Sequence, residues 1–597
     1  MAWRIVALAI LMASSATAKA YDRYGLYGVG HPAGGYILKD PPGYEEMVWR
    51  RIAEAGATSV RQAASWREIE AVKGKYDWTQ IENTLKYCRK YSQIRPYLLV
   101  VNTPAWARAD GQPSHLPPVP EAIPDWKRFC KALAEKYRGY VNHYEIWNEQ
   151  NGFGWEVPPY NQVDKYLPLL EAAYEGLKEG NPDCLVSLGG LDDGAGNSPI
   201  FTKGSYDLRV KSYAGKNMWD AFGDHPYGDA KSMIAKLRAI KGIASGYGDC
   251  GLELWLSEYG FHTGEMSEQA QAEALTQYMR TLIEDPEFQY VTETNYLCVA
   301  DFEETTHGFG LCNANLKPRL AFYAYQRLPR PGHIVISDIH VRHVSTTSVK
   351  IEWRTDAKAT SAVEWGTAAG KLDKRIADDQ MVQDHSLTLT GLLPNSTYHY
   401  VMISSADGFP EARSLDYEFT TLAGEGLRNA GFEDGFLVEI ARHWDCVGDN
   451  LCFDSARLDG DLKRSHSGEH AQCIVANGDW GDGLDDAVVG QAAAEIGRSC
   501  AFSAWTYALS ETKGGVIARK VGIDPTGGTG PGSPEVIWSQ PSESQGRWER
   551  QSVTTMAKGA VITVFAHAET KQKDGGKDWF YVDDADLVAG GAVSGRQ

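Results

Sequence analysis

The sequence lacks several features that would point to particular classes of protein. Its ten cysteines form no Cys-x-x-Cys pair, which argues against zinc-finger and thioredoxin-like sites. No Gly-rich phosphate loop follows the first predicted strand, there is no internal repeat, and no Ser/Thr/Pro-rich linker is present. After residue 20, no apolar run is long enough to span a membrane. Excess positive charge is also missing, since the net charge is -19 with a pI near 5.3, which argues against nucleic-acid and anionic-membrane partners.

The first twenty residues have the pattern of a secretory signal peptide. A short basic start, residues 1–4, precedes the apolar stretch 5–13, which is too short to cross a bilayer. Small residues then offer cleavage sites after Ala18 or Ala20. We therefore expect a secreted protein, extracellular or periplasmic, with an N-terminal anchor helix as the alternative.

Secretion would permit disulfide bonds between some of the cysteines. The spacing leaves several pairings open: Cys298 with Cys312, and Cys446 with either Cys452 or Cys473. The sequence alone does not decide among them.

Residues 21–330 alternate between predicted strands and predicted helices. After the fourth strand, for example, Tyr166, Leu169, Leu170 and Ala173 repeat with helical spacing. Eight such strand–helix units in about 300 residues predict a (β/α)8 barrel, with a doubly wound open sheet as the alternative. The predicted strands are residues 26–30, 58–61, 95–101, 142–147, 185–189, 219–224, 253–257 and 294–299.

Two glutamates stand where predicted strands end. Glu149 follows Asn148 after the fourth strand, and Glu258 follows Ser257 after the seventh. The carboxyl ends of barrel strands meet at one face, so the two side chains are expected to lie opposite each other. Such a pair cleaves glycosidic bonds, because one carboxyl group protonates the leaving oxygen while the other attacks C1 or activates water. We predict Glu149 as acid/base and Glu258 as nucleophile, with no cofactor in catalysis.

Residues 21–330 resemble clan A glycoside hydrolases, in which the catalytic glutamates follow strands four and seven. Residues 145–151, Glu-Ile-Trp-Asn-Glu-Gln-Asn, are especially similar to glycoside hydrolase family 39, although that family usually has proline where this chain has Gln150. Residues 103–107, Thr-Pro-Ala-Trp-Ala, are also similar. The resemblance implies a retaining enzyme that acts on a β-linked polysaccharide or its oligomers.

The same resemblance implies roles for residues around the two glutamates. Asn148 would bind the sugar 2-hydroxyl, and Arg61 would keep Glu258 ionised. Either His225 or Tyr227 would hydrogen-bond Glu258 or the acid/base, and Trp106 would form the floor of a sugar subsite.

Two further residues bear on the predicted site. Glu145 precedes Glu149 by four residues, so strand alternation places it on the same side but deeper, within reach of an ion pair with Arg61. Where the clan often has tryptophan after strand eight, this chain has Phe302, so either Phe302 or a nearby tyrosine is expected to take that place.

Residues 331–422 resemble a fibronectin type III domain. Val349, Ile351 and Trp353 alternate with charged residues, as in a half-buried strand. Residues 389–398, Leu-Thr-Gly-Leu-Leu-Pro-Asn-Ser-Thr-Tyr, are similar to that family's turn into its tyrosine strand. We interpret this part of the chain as a spacer.

Residues 423–597 resemble a jelly-roll carbohydrate-binding module, through residues 427–433 near its start and 581–587 near its end. In such modules the two ends lie together and often share a structural calcium. Glu433 with Asp583 or Asp584 would supply the oxygen ligands. The candidate aromatic platforms for sugar are Trp444, Trp480, Trp505, Trp538 and Trp548.

Two other functions remain open at this point. One is a catalytically inactive barrel that binds carbohydrate or mediates adhesion, and the intact Asn-Glu and Ser-Glu pairs argue against it. The other is an enzyme of the same clan that acts on α-L-configured glycosides. The expected partner is a polysaccharide or oligosaccharide, but the sequence names neither the sugar nor the linkage.

Overall fold

The structure is a computed structural model in which the chain divides into two compact units. One unit holds an α/β barrel, and the other holds two antiparallel β domains. The signal peptide, Phe302 and Trp480 lie outside the residues that the structure describes. The described residues are 23–30, 43–109, 112–152, 163–192, 197–301, 308–342, 344–424, 426–448, 450–477, 483–511, 515–571 and 576–589.

Eight parallel strands close into a barrel in sequence order, with the last strand pairing back to the first. Closure confirms the predicted (β/α)8 fold and excludes the doubly wound sheet, which would leave two strand edges open. The strands are β1 Gly28–Val29, β2 Ser59–Ser65, β3 Arg95–Val101, β4 His143–Asn148, β5 Leu185–Asp192, β6 Ala221–His225, β7 Glu253–Tyr259 and β8 Val291–Tyr296.

Amphipathic helices alternate with these strands. In the helix Ile123–Lys136, for example, Trp126, Phe129, Cys130 and Leu133 recur at three- and four-residue spacing, and all four side chains are buried. The first eight helices are α1 Tyr44–Glu54, α2 Trp66–Ile69, α3 Thr79–Lys90, α4 Ile123–Lys136, α5 Val163–Gly180, α6 Asn197–Tyr213, α7 Ala230–Gly246 and α8 Glu268–Glu284. The short helix α9, Leu320–Gln326, belongs to the second unit. No helix in the described part of the chain is both long and apolar enough to cross a membrane.

The first β domain is a six-stranded antiparallel sheet. Its two longest strands, Ser348–Gly366 and Lys374–Thr390, pair along most of their length, with register shifts between Arg354 and Ser361. Val349, Ile351 and Trp353 are buried, as their alternation predicts. The strands are β9 Ile336–Arg342, β10 Ser348–Gly366, β11 Lys374–Thr390, β12 Thr397–Ser404, β13 Ala412–Arg413 and β14 Tyr417–Thr420.

The second β domain contains two five-stranded antiparallel sheets and a small hairpin. Strands of both sheets contribute to one apolar core, as expected for a jelly roll. Cys446, Cys452 and Cys473 are free thiols in the structure, so neither candidate pairing among them is present, whereas the Cys298–Cys312 pairing stays a prediction. The strands are β15 Phe436–Leu437, β16 Ile440–Ala441, β17 Trp444–Val447, β18 Leu451–Asp454, β19 Gln472–Asn477, β20 Asp485–Ala493, β21 Ser499–Ser510, β22 Ile517–Asp524, β23 Ile537–Trp538, β24 Glu549–Met556, β25 Val561–Thr570 and β26 Lys577–Ala589.

Candidate active site

The carboxyl ends of β4 and β7 bring Glu149 and Glu258 together. Each side chain is about one fifth exposed, and their nearest carboxylate oxygens lie within 4.8 Å of each other. The backbone at Glu149 is left-handed, with φ of 49°, and its N–H donates to the carbonyl of Gly190 at 2.8 Å. Glu149 directly follows β4, and its left-handed backbone is held by this hydrogen bond. The end of the strand therefore determines the direction of the Glu149 side chain.

Arg61, from β2, connects the nucleophile candidate to the strand-four motif. Its Nη1 donates to Glu258 Oε1 at 2.5 Å, and its Nη2 donates to Asn148 Oδ1 at 2.7 Å. Its Nε donates to Glu145 Oε2 at 2.8 Å, which confirms the ion pair expected from strand alternation. The planar guanidinium therefore uses three of its nitrogens to fix three side chains.

His225 and Tyr227 divide between the two glutamates. His225, which is fully buried at the end of β6, places Nδ1 2.9 Å from Glu149 Oε1. Tyr227 donates its hydroxyl to Glu258 Oε2 at 3.2 Å, and its ring packs edge-on against Phe309. The histidine thus hydrogen-bonds the acid/base candidate, with Glu258 Oε2 3.6 Å from the same nitrogen, and the tyrosine hydrogen-bonds the nucleophile candidate.

Glu145 lies beneath this site and is completely buried. Its Oε1 accepts from Ser257 Oγ and from the backbone N–H of Gly190, each at 2.7 Å. Its Oε2 accepts from Tyr97 at 2.7 Å, in addition to Arg61. Four donors on two oxygens satisfy a buried carboxylate that would otherwise be costly to desolvate.

Gly190 in β5 makes room for the side chains on β6 and β7. A Cβ atom at this position would lie 2.0 Å from His225 Nε2 and 2.4 Å from Ser257 Oγ. No residue other than glycine therefore fits between them without moving the histidine or the serine. The pairing register of β5 with β6 also shifts between Leu188 and Leu191, at the same place.

The charges around Glu258 and His225 act against the cost of burial. Burial raises the pKa of Glu258, but the His225 ring and the Arg61 guanidinium outweigh it and hold that pKa below its ordinary value of 4.5. Burial lowers the pKa of His225, but the Glu258 charge and the hydrogen bond to Glu149 outweigh it and raise that pKa above 6.5. These directions favour an ionised Glu258 beside a ring that retains its proton.

Trp106 lies in a short 3₁₀ turn after β3 and is half-buried. Its indole Nε1 donates to the carbonyl of Glu70 at 2.9 Å, and its ring packs edge-on against Trp66. Lys73 Nζ lies 5.2 Å from the centre of the ring. None of the hydrogen bonds described for the two catalytic candidates involves Trp106, so its role as a subsite floor stays a prediction.

Sequence reasoning missed the supporting residues Tyr97, Gly190 and Ser257. Ser257 adjoins the predicted nucleophile, and the pair Gly189-Gly190 interrupts a predicted strand, so both left a local signal. Tyr97 left none, because nothing in its neighbourhood distinguishes it from an ordinary core tyrosine.

Two groups of residues carry potential ligands for a metal ion. Glu149, His225 and Glu258 are the one cluster of three potential ligands in the described ranges, and Arg61 already supplies positive charge beside it. In the second β domain, Glu433 accepts from two backbone N–H groups, those of Glu469 and His470.

Asp583 is held in the same manner as Glu433. Its carboxylate accepts from the backbone N–H groups of His466, Ser467 and Asp584. Backbone N–H groups already donate to the carboxylate oxygens that a calcium ion would need. These carboxylates fit calcium only if the amides turn away. Calcium binding by Glu433 and Asp583 stays a prediction.

The fold and the strand-end pair define a class: a (β/α)8 barrel with two facing glutamates after strands four and seven. In its barrel and its motifs the chain resembles clan A glycoside hydrolases, family 39 among them.

Comparison with solved structures found low-identity similarities. A family 39 glycoside hydrolase from the gut symbiont Bacteroides cellulosilyticus WH2 has 18% identity and a TM-score of 0.42, covering 65% of this chain and 82% of that one. A monomeric beta-xylosidase from Caulobacter crescentus CB15 has 14% identity and a TM-score of 0.43, covering 68% and 98%. A glucosidase from Croceicoccus marinus has 12% identity and a TM-score of 0.40, covering 92% and 97%.

Residues 336–421 match the family model described as the purple acid phosphatase N-terminal domain. The description of this family differs from the fibronectin type III interpretation of the first β domain. That interpretation stays a prediction. A search of curated protein sequences found no match.

Proposed function

We propose that this protein is a secreted retaining glycoside hydrolase that cleaves a β-linked polysaccharide or its oligomers. The observation that carries the proposal is the approach of the Glu149 and Glu258 carboxylates to within 4.8 Å. Retaining enzymes separate the two carboxyl groups by about 5 Å, whereas inverting enzymes need about 6.5–9.5 Å to admit a water molecule. The pattern of residues 1–20 supports secretion.

In the first step, Glu258 attacks C1 of the sugar while Glu149 gives its proton to the leaving oxygen. The glycosidic bond breaks, and a glycosyl ester forms on Glu258. In the second step, Glu149 takes a proton from water, whose oxygen attacks C1 and releases Glu258. Two inversions at C1 give overall retention.

Arg61 and Asn148 serve this chemistry in different ways. Arg61 and Tyr227 both donate to Glu258, so they keep the nucleophile ionised and hold it in one orientation. Because Arg61 occupies Asn148 Oδ1, the amide Nδ2 of Asn148 is turned to act as a donor. We assign that donor to the sugar 2-hydroxyl.

The second β domain is proposed to hold the enzyme on its polymer. Trp505 and Trp548 are half-buried and lie beside His466, whose ring stacks on Trp505 at 3.9 Å. Partly exposed indole rings suit stacking against sugar rings. Deletion of residues 423–597 should therefore abolish pull-down by the insoluble substrate, whereas unchanged retention would contradict this role.

The proposal is tested with a panel of aryl β-glycosides, aryl α-L-glycosides and polysaccharides, using the wild-type protein and Glu258→Gln. We expect hydrolysis of at least one β-glycoside and a loss of at least about 10⁴-fold in Glu258→Gln, since the amide cannot form the ester. Activity confined to α-L-glycosides would favour the alternative specificity. Binding without hydrolysis in every assay would favour a non-catalytic carbohydrate-binding protein.

A further inference from the structure

A continuous line of hydrogen bonds connects Glu149 to the buried Glu145. His225 Nδ1 lies 2.9 Å from Glu149 Oε1, and His225 Nε2 lies 3.1 Å from Ser257 Oγ. Ser257 Oγ in turn donates to Glu145 Oε1 at 2.7 Å. His225, Ser257 and Glu145 are all fully buried, so no solvent hydroxyl replaces any member of the line.

The donor and the acceptor of each hydrogen bond in this line can be assigned by starting from Glu145. Glu145 pairs with Arg61 and receives donors from Tyr97 and Gly190, which makes it an acceptor. Ser257 has a single hydroxyl proton, and that proton points to Glu145. Towards the histidine, therefore, Ser257 can only accept.

It follows that the proton of the neutral His225 ring lies on Nε2. A neutral imidazole carries one proton, so its Nδ1 then has only a lone pair to offer Glu149. Any hydrogen bond between Nδ1 and Glu149 Oε1 must use a proton held by the Glu149–His225 pair, either as the carboxylic acid or as the imidazolium.

We propose that Ser257 is a positioning residue that fixes the tautomer of His225, so that the Glu149–His225 pair holds one shared proton for delivery to the leaving oxygen. This rests on the proposed function for the delivery step, whereas the tautomer itself does not depend on catalysis. Gly190 is part of the same arrangement, because any side chain at position 190 would separate His225 from Ser257.

The proton balance of the two steps follows from this arrangement. Before glycosylation the Glu149–His225 pair holds one proton, which leaves with the aglycone. In the glycosyl ester both Nδ1 and Glu149 Oε1 are lone-pair acceptors at 2.9 Å, and their repulsion favours proton uptake from water. The pair is restored when water adds to C1. In the other neutral tautomer, Nδ1–H would donate to the Glu149 carboxylate and would stabilise the form that has already lost its proton.

In the described part of the chain, the charged and titratable groups around His225 come from six strands. Glu149 and Glu258 are the nearest acids, Arg61 is the nearest base, and Asp224 precedes the histidine on its own strand. Asp192 on β5 pairs in register with His225 on β6. The groups are Arg61 on β2, Tyr97 on β3, Glu145 and Glu149 near β4, Asp192 on β5, Asp224 and Tyr227 near β6, and Glu258 on β7.

The tautomer is measured by long-range proton–nitrogen NMR on wild-type protein with ¹⁵N-labelled histidine. His225→Gln assigns the signal among the 15 histidines of the chain. We expect the neutral ring to carry its proton on Nε2. A neutral ring protonated on Nδ1 would overturn the proposal, as would a ring that stays doubly protonated over the whole pH range in which the protein is folded.

The role in catalysis is measured with Ser257→Ala and Ser257→Thr on the aryl glycoside that the wild-type protein hydrolyses best. Without the hydroxyl, the Nδ1–H tautomer becomes available, so the alkaline limb of kcat/KM should move to lower pH by about one unit, the equivalent of one hydrogen bond. Ser257→Thr retains a hydroxyl and should restore the wild-type limb.

Leaving-group dependence separates this role from general damage to the site. Ser257→Ala should lose more activity on a poor leaving group than on an activated one, since only the former needs the proton. Equal losses on both substrates with an unmoved pH profile would overturn the proposal. If the wild-type protein hydrolyses no glycoside, the proposed function fails, and the NMR measurement still decides the tautomer.

Discussion

Arg61 Nη1 lies 2.5 Å from Glu258 Oε1. The same guanidinium also bonds Glu145 and Asn148, so one side chain sets the position of the nucleophile candidate relative to the strand-four motif. Arg61 is about one tenth exposed, and its pKa is raised well above the ordinary value: burial acts to lower it, but Glu145, Tyr97 and Glu258 outweigh that effect. A permanent positive charge therefore accompanies Glu258 at every pH of interest.

Replacing Arg61 by lysine should weaken the site without leaving its carboxylates unpaired. Lysine keeps the charge but cannot bond three partners at once, so kcat/KM should fall by about 10- to 100-fold. Burial raises the Glu258 pKa, whereas His225 and Arg61 lower it. Weaker pairing should therefore move the acid limb of the kcat/KM profile to higher pH. Arg238→Lys, on the exposed pair with Glu287, is the matched control and should change neither quantity.

The loss of activity in Glu149→Ala should depend on whether the leaving group of the substrate needs a proton. On a glycoside with a poor leaving group, we expect kcat/KM to fall by about 10²- to 10⁴-fold, the usual contribution of general acid catalysis. On an activated aryl glycoside, the glycosylation step should be much less affected, and breakdown of the ester should become rate-limiting. Steady-state and burst kinetics measure both effects, and equal losses on the two substrates would assign Glu149 no acid role.

Asp224 should make the stability of the protein depend on pH. Burial raises the pKa of Asp224 from 3.8 to about 7, and the neighbouring Ser198 hydroxyl and His225 ring offset only part of this. The folded state thus holds an extra proton between pH 4 and 7, and its stability falls as pH rises through that window, by on the order of 4 kcal/mol.

Asp224→Asn removes this ionisation, so the decrease in stability between pH 4 and pH 8 should become smaller. Chemical denaturation at the two pH values measures it, with the exposed Asp183→Asn as the matched control. An undiminished pH dependence in Asp224→Asn would show that this carboxyl is not the source.

Calcium should stabilise the second β domain if Glu433 and Asp583 bind it. Burial raises the pKa of Asp583 to about 6, and a bound cation would favour its ionised form. We expect calcium to raise the Tm of the wild-type protein and chelation to reverse the effect. Asp583→Asn should abolish the shift, and the exposed Asp586→Asn should keep it. A Tm that does not respond to calcium would contradict calcium binding by Glu433 and Asp583.

The sequence predicted the barrel because apolar strands and amphipathic helices alternate regularly, but it misplaced the end of the barrel. The eighth strand was expected at residues 294–299, and it runs from Val291 to Tyr296. The residues that the prediction missed, 291–293, include the buried Glu293, which accepts a hydrogen bond from Ser59 and does not look like part of a core strand. Tertiary hydrogen bonds outweighed the local pattern there.

At the site, the sequence identified residues whose position at a strand end reveals them, such as Glu149 and Glu258. It did not reveal that Glu145 and Ser257, 112 residues apart in the chain, share a hydrogen bond. Nor did it reveal that His225 and Tyr227 would divide between the two glutamates. Such contacts depend on barrel closure and on side-chain direction, neither of which has a local signature.

The most direct test of the central claim is azide rescue of Glu258→Gly on an activated aryl β-glycoside, with the product identified by proton NMR. Without the carboxylate the variant should be almost inactive, and azide should enter the vacated space and attack C1. The account predicts a glycosyl azide of inverted, α configuration. Hydrolysis at the wild-type rate without azide, or a β-glycosyl azide as the product, would contradict the assignment of Glu258 as the nucleophile.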